Sequence, residues 1–444
     1  MRKWSAGDMK YTHMPKIFLY DKYGPEDVAM MQALYSRSAE SVERHVEKVK
    51  ETGSGKFMER FYVGYGHMSI ADCGSTTLFI EGLSILCDKA IQDWPLYSGQ
   101  ETSTRYIDMS RQPMVDSVGT DASREIQKKW HAFYVSSGPA VEAHLRAKFP
   151  RKADEDEKMY DKAIKARSFD ILRGFLPAGI TTQLSWHTNL RQAWDKLALL
   201  RHHPLAEVRE TAEGMLAVLR ERYPNSFSHK RYEAQEAYWE DILSKRTYFA
   251  PESFPEEFGV KTTIERESLA PYTDILGKRP VKTNLPQYLR ALGTFTFDFL
   301  LDFGSYRDIQ RHRAAVHHMP LLTTRYGFHP WYLDQLPDPV RAEAEALIKE
   351  QVAAIAMVDA SPEDKQYLVA MGFRVPVRHS FDLPSLVYFV ELRSGKTVHP
   401  TIRPIAQRMA DEIEKRFPEV ALHIERDPDD WDVRRGLQDI SESR

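Results

Sequence analysis

Residues 311–326 read RHRAAVHHMPLLTTRY, and the first three are all basic. Two guanidiniums flanking an imidazole could clamp a diphosphate, because arginine grips phosphate oxygens with a rigid and often bidentate fork. An isolated Arg-His-Arg triplet more often forms surface salt bridges, so its neighbours must decide. The histidine pairs His202-His203 and His317-His318 lack acidic or histidine partners at ligand spacing on one face. They predict no metal site. Neither Cys73 nor Cys87 sits in a nucleophile-type context, which disfavours covalent catalysis through sulfur.

The elements that carry these residues occur twice. Residues 199–224 (LLRHHPLAEVRETAEGMLAVLRERYP) echo residues 391–418 (ELRSGKTVHPTIRPIAQRMADEIEKRFP). Each has Leu-Arg, then His-Pro, then an amphipathic helix closed by Arg, an aromatic residue and Pro. QETSTRY (100–106) likewise echoes LLTTRY (321–326). The chain of 444 residues therefore divides into repeats over 1–255 and 256–444, joined by a hinge rich in proline and acid at 248–263. Residues 27–49 read as one helix, and 191–203 as another. Residues 75–94 and 292–313 each begin as a strand and turn helical. The expected fold class is α+β, with helices packed around a small antiparallel sheet in each repeat.

Composition limits the partners. A formal net charge of −3, with 42% hydrophobic and 28% charged residues, is that of a globular protein without a general attraction to nucleic acid. An anion site must be local. A nucleic-acid-binding module is disfavoured for lack of a basic face or motif. No signal peptide or apolar run of spanning length is evident, and two cysteines without CxxC suggest a reducing compartment. The expectation is a cytoplasmic protein with no membrane partner.

Several patches together resemble the flavin-dependent thymidylate synthases. Arg-His-Arg followed about a dozen residues later by Arg-Tyr resembles that family's signature. YGHMSIAD (65–72) is similar to its Gly-His segment. Residues 173–201 (RGFLPAGITTQLSWHTNLRQAWDKLALLR) are similar to its Arg, Leu-Pro, strand, Asn-x-Arg and helix. FTFDFLLDFGSYRDIQRHR (295–313) resembles the elements leading into the triplet. The resemblance implies FAD as cofactor, with methylenetetrahydrofolate and NADPH as co-substrates. It also implies C5 methylation of dUMP. Arg311, His312 and Arg313 would hold the flavin, with His67, Ser69, Glu101 and Asn189 also contacting it. Gln100, Glu101, Ser103, Arg105, Arg173, Arg311 and Arg393 would bind the nucleotide. Arg393, and Arg201 at the matching helix end of the first repeat, would polarise the base, since a fixed cation stabilises developing negative charge. Trp331 and Tyr332 could stack on flavin or folate, or simply pack.

Each repeat lacks what the other keeps. Asp93-Trp94-Pro95 stands where the first repeat should carry Arg-His-Arg. In the second repeat Leu321 to Thr324 stand where Glu and Ser should be, after a segment two residues longer that includes His317 and His318. Gly372 replaces the arginine expected four residues before Pro376. The family's sites combine residues from different subunits, which implies a homodimer of tandem chains imitating a tetramer. Asp308 and Met68 depart from the family's Gln and Glu, and Asp308 would repel an anion unless paired with Arg307 or Arg311. Another uridine nucleotide as substrate, a hydroxymethyl product, or a non-catalytic flavin or nucleotide binder remain alternatives.

Overall fold

The computed structural model describes residues 22–38, 40–246 and 258–438. Among these, two small antiparallel sheets stand amid helices, an α+β arrangement. The first sheet contains β1 (Ser75–Ser84), β2 (Ser98–Glu101) and β3 (Thr181–Asn189) in the order β1-β3-β2. The second contains β4 (Phe258–Thr262), β5 (Thr294–Asp302), β6 (Val316–His318) and β7 (Arg374–Asp382) in the order β4-β5-β7-β6. Most of the expected hinge, 248–257, lies outside the described residues, and with it the boundary at 255. Its last part is no linker, because 258–262 forms the edge strand β4. The helix expected over 27–49 is two helices, Pro25–Tyr35 and Val42–Thr52, the second capped by Ser41.

Four strands run straight into helices, and each junction has a capping side chain. Ser84 accepts from Cys87 N–H at 3.1 Å and Asn189 from Gln192 N–H at 2.7 Å. Asp302 and Asp382 accept from Ser305 and Ser385 N–H, both at 2.8 Å. These caps satisfy orphan amides and end the extended backbone. They also fix which residues of the repeats correspond. Ser84 matches Asp302, so Asp93-Trp94-Pro95 stand opposite Arg311-His312-Arg313, as the sequence suggests. Asn189 matches Asp382, which puts Gln366, not Gly372, opposite Arg173. The ladders pair Ser98 with His187 and Val316 with Ser380. His318 and Met319 therefore stand opposite Gln100 and Glu101. The two extra residues fall after β6, and His317 and His318 are strand residues rather than part of an enlarged loop.

The repeats share a seam. Ala178 and Gly179 donate to the carbonyls of Val369 and Tyr367 at 2.9 and 3.1 Å. Met371 and Gly372 donate back to Leu176 and Gly174 at 2.9 and 2.7 Å. One hydrophobic core spans both repeats, with Trp130, Phe175, Tyr332 and Phe373 beside the seam. Tyr332 donates to Asp302 at 2.7 Å, and Trp331 packs edge-on against His399. Across the seam Tyr332 lies against Gly174 and Arg167 stacks over Trp331, so both rings pack at the junction between repeats.

Close approach requires glycine here. A Cβ on Gly372 would lie 2.3 Å from the Phe328 ring, and one on Gly174 would lie 2.6 Å from Tyr332. Gly372→Ala is expected to cost about 1–3 kcal/mol by overpacking, read as a lower denaturation midpoint. An unchanged midpoint would mean that the seam yields easily.

Candidate active site

Helix Phe303–Gln310 delivers Arg307, Asp308 and Arg311 to the side of the seam where β2 ends. Glu101, at the end of β2, meets them. Its carboxylate accepts from Arg311 Nη2 at 2.6 Å, Arg307 Nη2 at 2.8 Å and Gln92 Nε2 at 2.5 Å. Arg313 donates to the carbonyl of Tyr97. The Arg-His-Arg segment and the Glu-x-Ser-x-Arg segment are therefore brought together within one chain. The resemblance assigns them to different subunits, but the tandem arrangement supplies both.

The charges around Glu101 are graded by burial. Burial pulls Glu101 toward its protonated form, but Arg307, a hydrogen bond from Asp88 and Arg311 outweigh it and hold the carboxyl far below its usual range. Asp88, fully buried beneath, moves the other way, because burial and the charge on Glu101 push its carboxyl well above the usual range. The two carboxyls thus titrate as a coupled pair, Glu101 drawn down and Asp88 pushed up.

The nucleotide-type residues are held close by. Arg105 binds Asp170 with Nε at 2.7 Å and Nη2 at 3.1 Å, and reaches Thr397 O at 3.1 Å. Ser103 Oγ accepts from Arg105 N–H at 3.2 Å. Arg173 is buried, donates to Ser305 Oγ at 3.0 Å and lies 3.5 Å from Asp308 Oδ2. Burial pushes Asp308 up, but Arg173 first, then Arg105, Arg393 and Arg311, draw it below its usual value. The partner of Asp308 is thus Arg173, not Arg307 or Arg311. Arg393 ends the helix after β7, donating to His312 Nε2 at 2.8 Å and to the carbonyl of Asp308 at 2.6 Å. Burial, helped by Arg393, pushes His312 down to about 3. The imidazole is therefore a neutral acceptor. Guanidiniums (Arg105, Arg173, Arg307, Arg311, Arg393, Arg435) outnumber the carboxylates among them (Glu101, Asp170, Asp308 and, beneath, Asp88).

A cleft of about 860 Å³ opens beside this cluster, bordered by Arg311, Arg313, Arg393, Leu96 and Tyr388. Among the described residues no carboxylate lines it. Gln100 lies apart from it, on β2, in a smaller groove of about 280 Å³ with Phe79.

Four further expected residues are not brought here. Arg201 is held by Glu236 at 2.8 Å and lies 3.8 Å from Glu213. It serves the first repeat's own helix end, and Leu200 is the position opposite Arg393. His67 and Ser69 lie ahead of β1, where His67 packs beside Phe61 and Tyr65. Asn189 spends its side chain on the helix cap and sits five ladder positions from Leu184, the partner of Glu101. That is roughly 17 Å along the strand. The pseudo-symmetric counterpart of the cluster is not cationic in the same way. There Asp93 lies 3.6 Å from His317, and Lys196 donates to the Asp93 carbonyl at 2.8 Å.

Sequence reasoning missed Arg307, Asp88, Gln92 and Asp170. Arg307 had a signal, since it precedes Arg311 by four and shares its helix face. The others meet their partners only through tertiary packing. Among the described residues no three His, Cys, Asp or Glu side chains gather as a metal site would need, and no helix is long and apolar enough to cross a membrane.

Comparison with known proteins finds relatives along most of the chain. Over 420 residues the chain is 27% identical to a UPF0159 protein of Chlamydia muridarum, covering 82% of this chain and 79% of that one. A UPF0159 protein of Chlamydia pneumoniae is 26% identical over 422 residues, covering 82% and 78%. One from Thermoplasma acidophilum is 24% identical over 476 residues, covering 89% and 94%. The model of the family described as "Thymidylate synthase complementing protein" matches residues 19–225 and 291–419, thus touching both repeats. With well over half of its length matched, this chain belongs to the thymidylate synthase complementing protein family.

Proposed function

We propose that the protein methylates C5 of dUMP to give dTMP, with FAD as cofactor, methylenetetrahydrofolate as carbon donor and NADPH as hydride source. The observation that carries this reading is the meeting of Arg311 with Glu101 beside a cleft bordered by arginines and free of carboxylates. Such a cleft suits FAD: its diphosphate needs charge-assisted donors, and its rings need apolar cover of the kind Leu96 and Tyr388 offer. Arg311 and Arg313 would hold the diphosphate. His312, neutral and packed on Phe389, would keep Arg393 oriented. When bound, the flavin supplies the hydride chemistry, and the protein supplies position and field.

Ser103, Arg105 and Arg173 would take the nucleotide phosphate. Arg173 must then exchange Asp308 for the phosphate, and its loose 3.5 Å contact favours that exchange. Arg393 would stand near the base, where a guanidinium in a water-poor setting favours loss of the N3 proton and enriches C5. Burial already pulls Arg393 down, which sharpens its preference for an anionic neighbour. A dimer of such chains would carry two of these composites.

A second reading, a flavin or nucleotide binder without catalysis, draws on Asp308, which holds Arg173. Tritium release from C5-labelled dUMP separates the two. Arg311→Ala is expected to weaken FAD binding by about ten- to a hundredfold, the worth of a charged hydrogen bond. Ser103→Ala should leave flavin affinity unchanged and weaken dUMP binding. Protein that takes up no flavin, or equal loss of flavin in both variants, would sink the assignment.

A further inference from the structure

The cleft has a second wall that the family match leaves out. Residues 284–290 supply it, ahead of β5, at the end of the unmatched stretch 226–290. By element order this segment stands where His67 and Ser69 stand ahead of β1. The short helix Met68–Ala71 packs on the helix after β3, and the turn Gln287–Leu292 packs on the helix after β7. In the second repeat the segment brings Asn284, Gln287 and Arg290 to the cleft.

Arg290 is fixed by its inner edge. Its Nε donates to Asp382 Oδ2 at 2.8 Å, and Nη1 donates to Gln287 Oε1 at 3.3 Å. Asp382 is itself tied down as the cap of the following helix, accepting from Ser385 N–H at 2.8 Å. The Arg290 side chain remains 49% exposed while bordering the cleft. An arginine pre-oriented by a nearly buried carboxylate loses less freedom when it binds an anion. Tyr388, on the helix after β7, borders the same space with half its surface open. Exposed aromatic surface inside a cationic cleft favours a ligand with a planar ring.

We propose that Arg290 is a second anion anchor of this cleft, pairing with a phosphate of the bound dinucleotide while Tyr388 packs against its isoalloxazine ring. The inference rests on the flavin reading above; Arg290 lies outside the family match, and Tyr388 lies within it.

The test is titration of the purified full chain with FAD, FMN and riboflavin, followed by flavin fluorescence and calorimetry. Arg290→Ala should weaken FAD binding by about tenfold or more and leave riboflavin, which has no phosphate, unchanged. Arg290→Lys should fall between, since it keeps the charge and loses the fork. Tyr388→Ala should weaken all three ligands, and Tyr388→Phe should restore them. Equal loss of FAD and riboflavin in Arg290→Ala, or no loss of either, overturns the proposal. If Arg311→Ala weakens FAD and Arg290→Ala does not, this inference fails while the flavin reading stands. If the wild type binds no flavin, the flavin reading fails, and ADP titrated into the wild type and Arg290→Ala decides for the anchor. An unchanged ADP affinity, or no binding of ADP, then overturns it.

Discussion

Glu101→Gln is expected to destabilise the protein by about 3–5 kcal/mol, because it leaves buried guanidinium charge without its carboxylate. Arg307 is the group most affected: its side chain is only 4% exposed, and Glu101 is its close ionic partner at 2.8 Å. The remaining acid, Asp88, lies 3.7 Å away, and burial pushes its carboxyl well above the usual range. Ionising it to compensate would itself cost desolvation energy. The double variant Glu101→Gln with Arg307→Met should recover much of the loss, since removing both buried partners is far less costly than removing one. Denaturant unfolding of the two single variants and the double variant measures this coupling. Simple addition of the two single effects would show that the pair is not coupled. The pH dependence has a defined sign. The folded Glu101 carboxyl is depressed below its unfolded value of about 4.3, so its contribution is complete above that pH and is lost as acid protonates it. The wild type should lose stability on acidification through this range more steeply than Glu101→Gln. Asp88 has the opposite sign. Its raised folded value contributes below about pH 4 and loses that contribution as pH rises, so Asp88→Asn should be neutral or stabilising at pH 7.

What the sequence reveals of this molecule depends on whether an interaction is local. The strand-to-helix transitions at 75–94 and 292–313 are legible because aromatic and β-branched runs stop at a capping Ser or Asp. The complementary loss between repeats is legible for the same reason, since Asp93-Trp94-Pro95 and Arg311-His312-Arg313 fall at equal distances from their caps. Register after β6 is not legible. Two extra residues can be absorbed before or after a short strand, and only the pairing of Val316 with Ser380 shows which. The helix over 27–49 fails because an apolar pattern continues across Ser36 and Ser41, whose capping roles depend on the backbone around them. Arg201 and Asn189 resemble the family by residue type in the sequence and yet serve local structure, one with Glu236 and the other as a cap. A motif reports residue type and spacing, but not which neighbour claims the side chain. Arg290 is the converse case: no motif marks it, and a capping aspartate far along the chain positions it.

Asp170→Asn is expected to be comparably damaging, and its damage should be selective. Asp170 lies fully buried near the end of helix Glu157–Leu172. It binds Arg105 through two oxygens and also takes Arg435 from the C-terminal turn Val433–Gln438. Its carbonyl faces His399 Nε2 at 3.3 Å. One carboxylate thus ties the nucleotide-type loop of the first repeat to the chain's last described turn, beside a histidine of the second repeat. Burial alone would raise Asp170, but Arg105, Arg435 and His399 hold it well below its usual range, so its contribution is present above about pH 4 and fades in acid. Asparagine keeps the shape and removes the charge, leaving two arginines sharing a neutral acceptor at a cost of about 3–5 kcal/mol. The C-terminal turn should then open, read as faster amide exchange over 433–438. Arg105, no longer gripped on two nitrogens, should lose its aim. Because Arg105 is assigned to the nucleotide and Arg311 to the flavin, dUMP affinity should fall by about tenfold or more while FAD affinity stays within about twofold. Parallel titrations of the two ligands decide it. A variant that loses flavin as readily as nucleotide would show that the two sets of arginines act as one field, and the division of labour between the repeats would have to be abandoned.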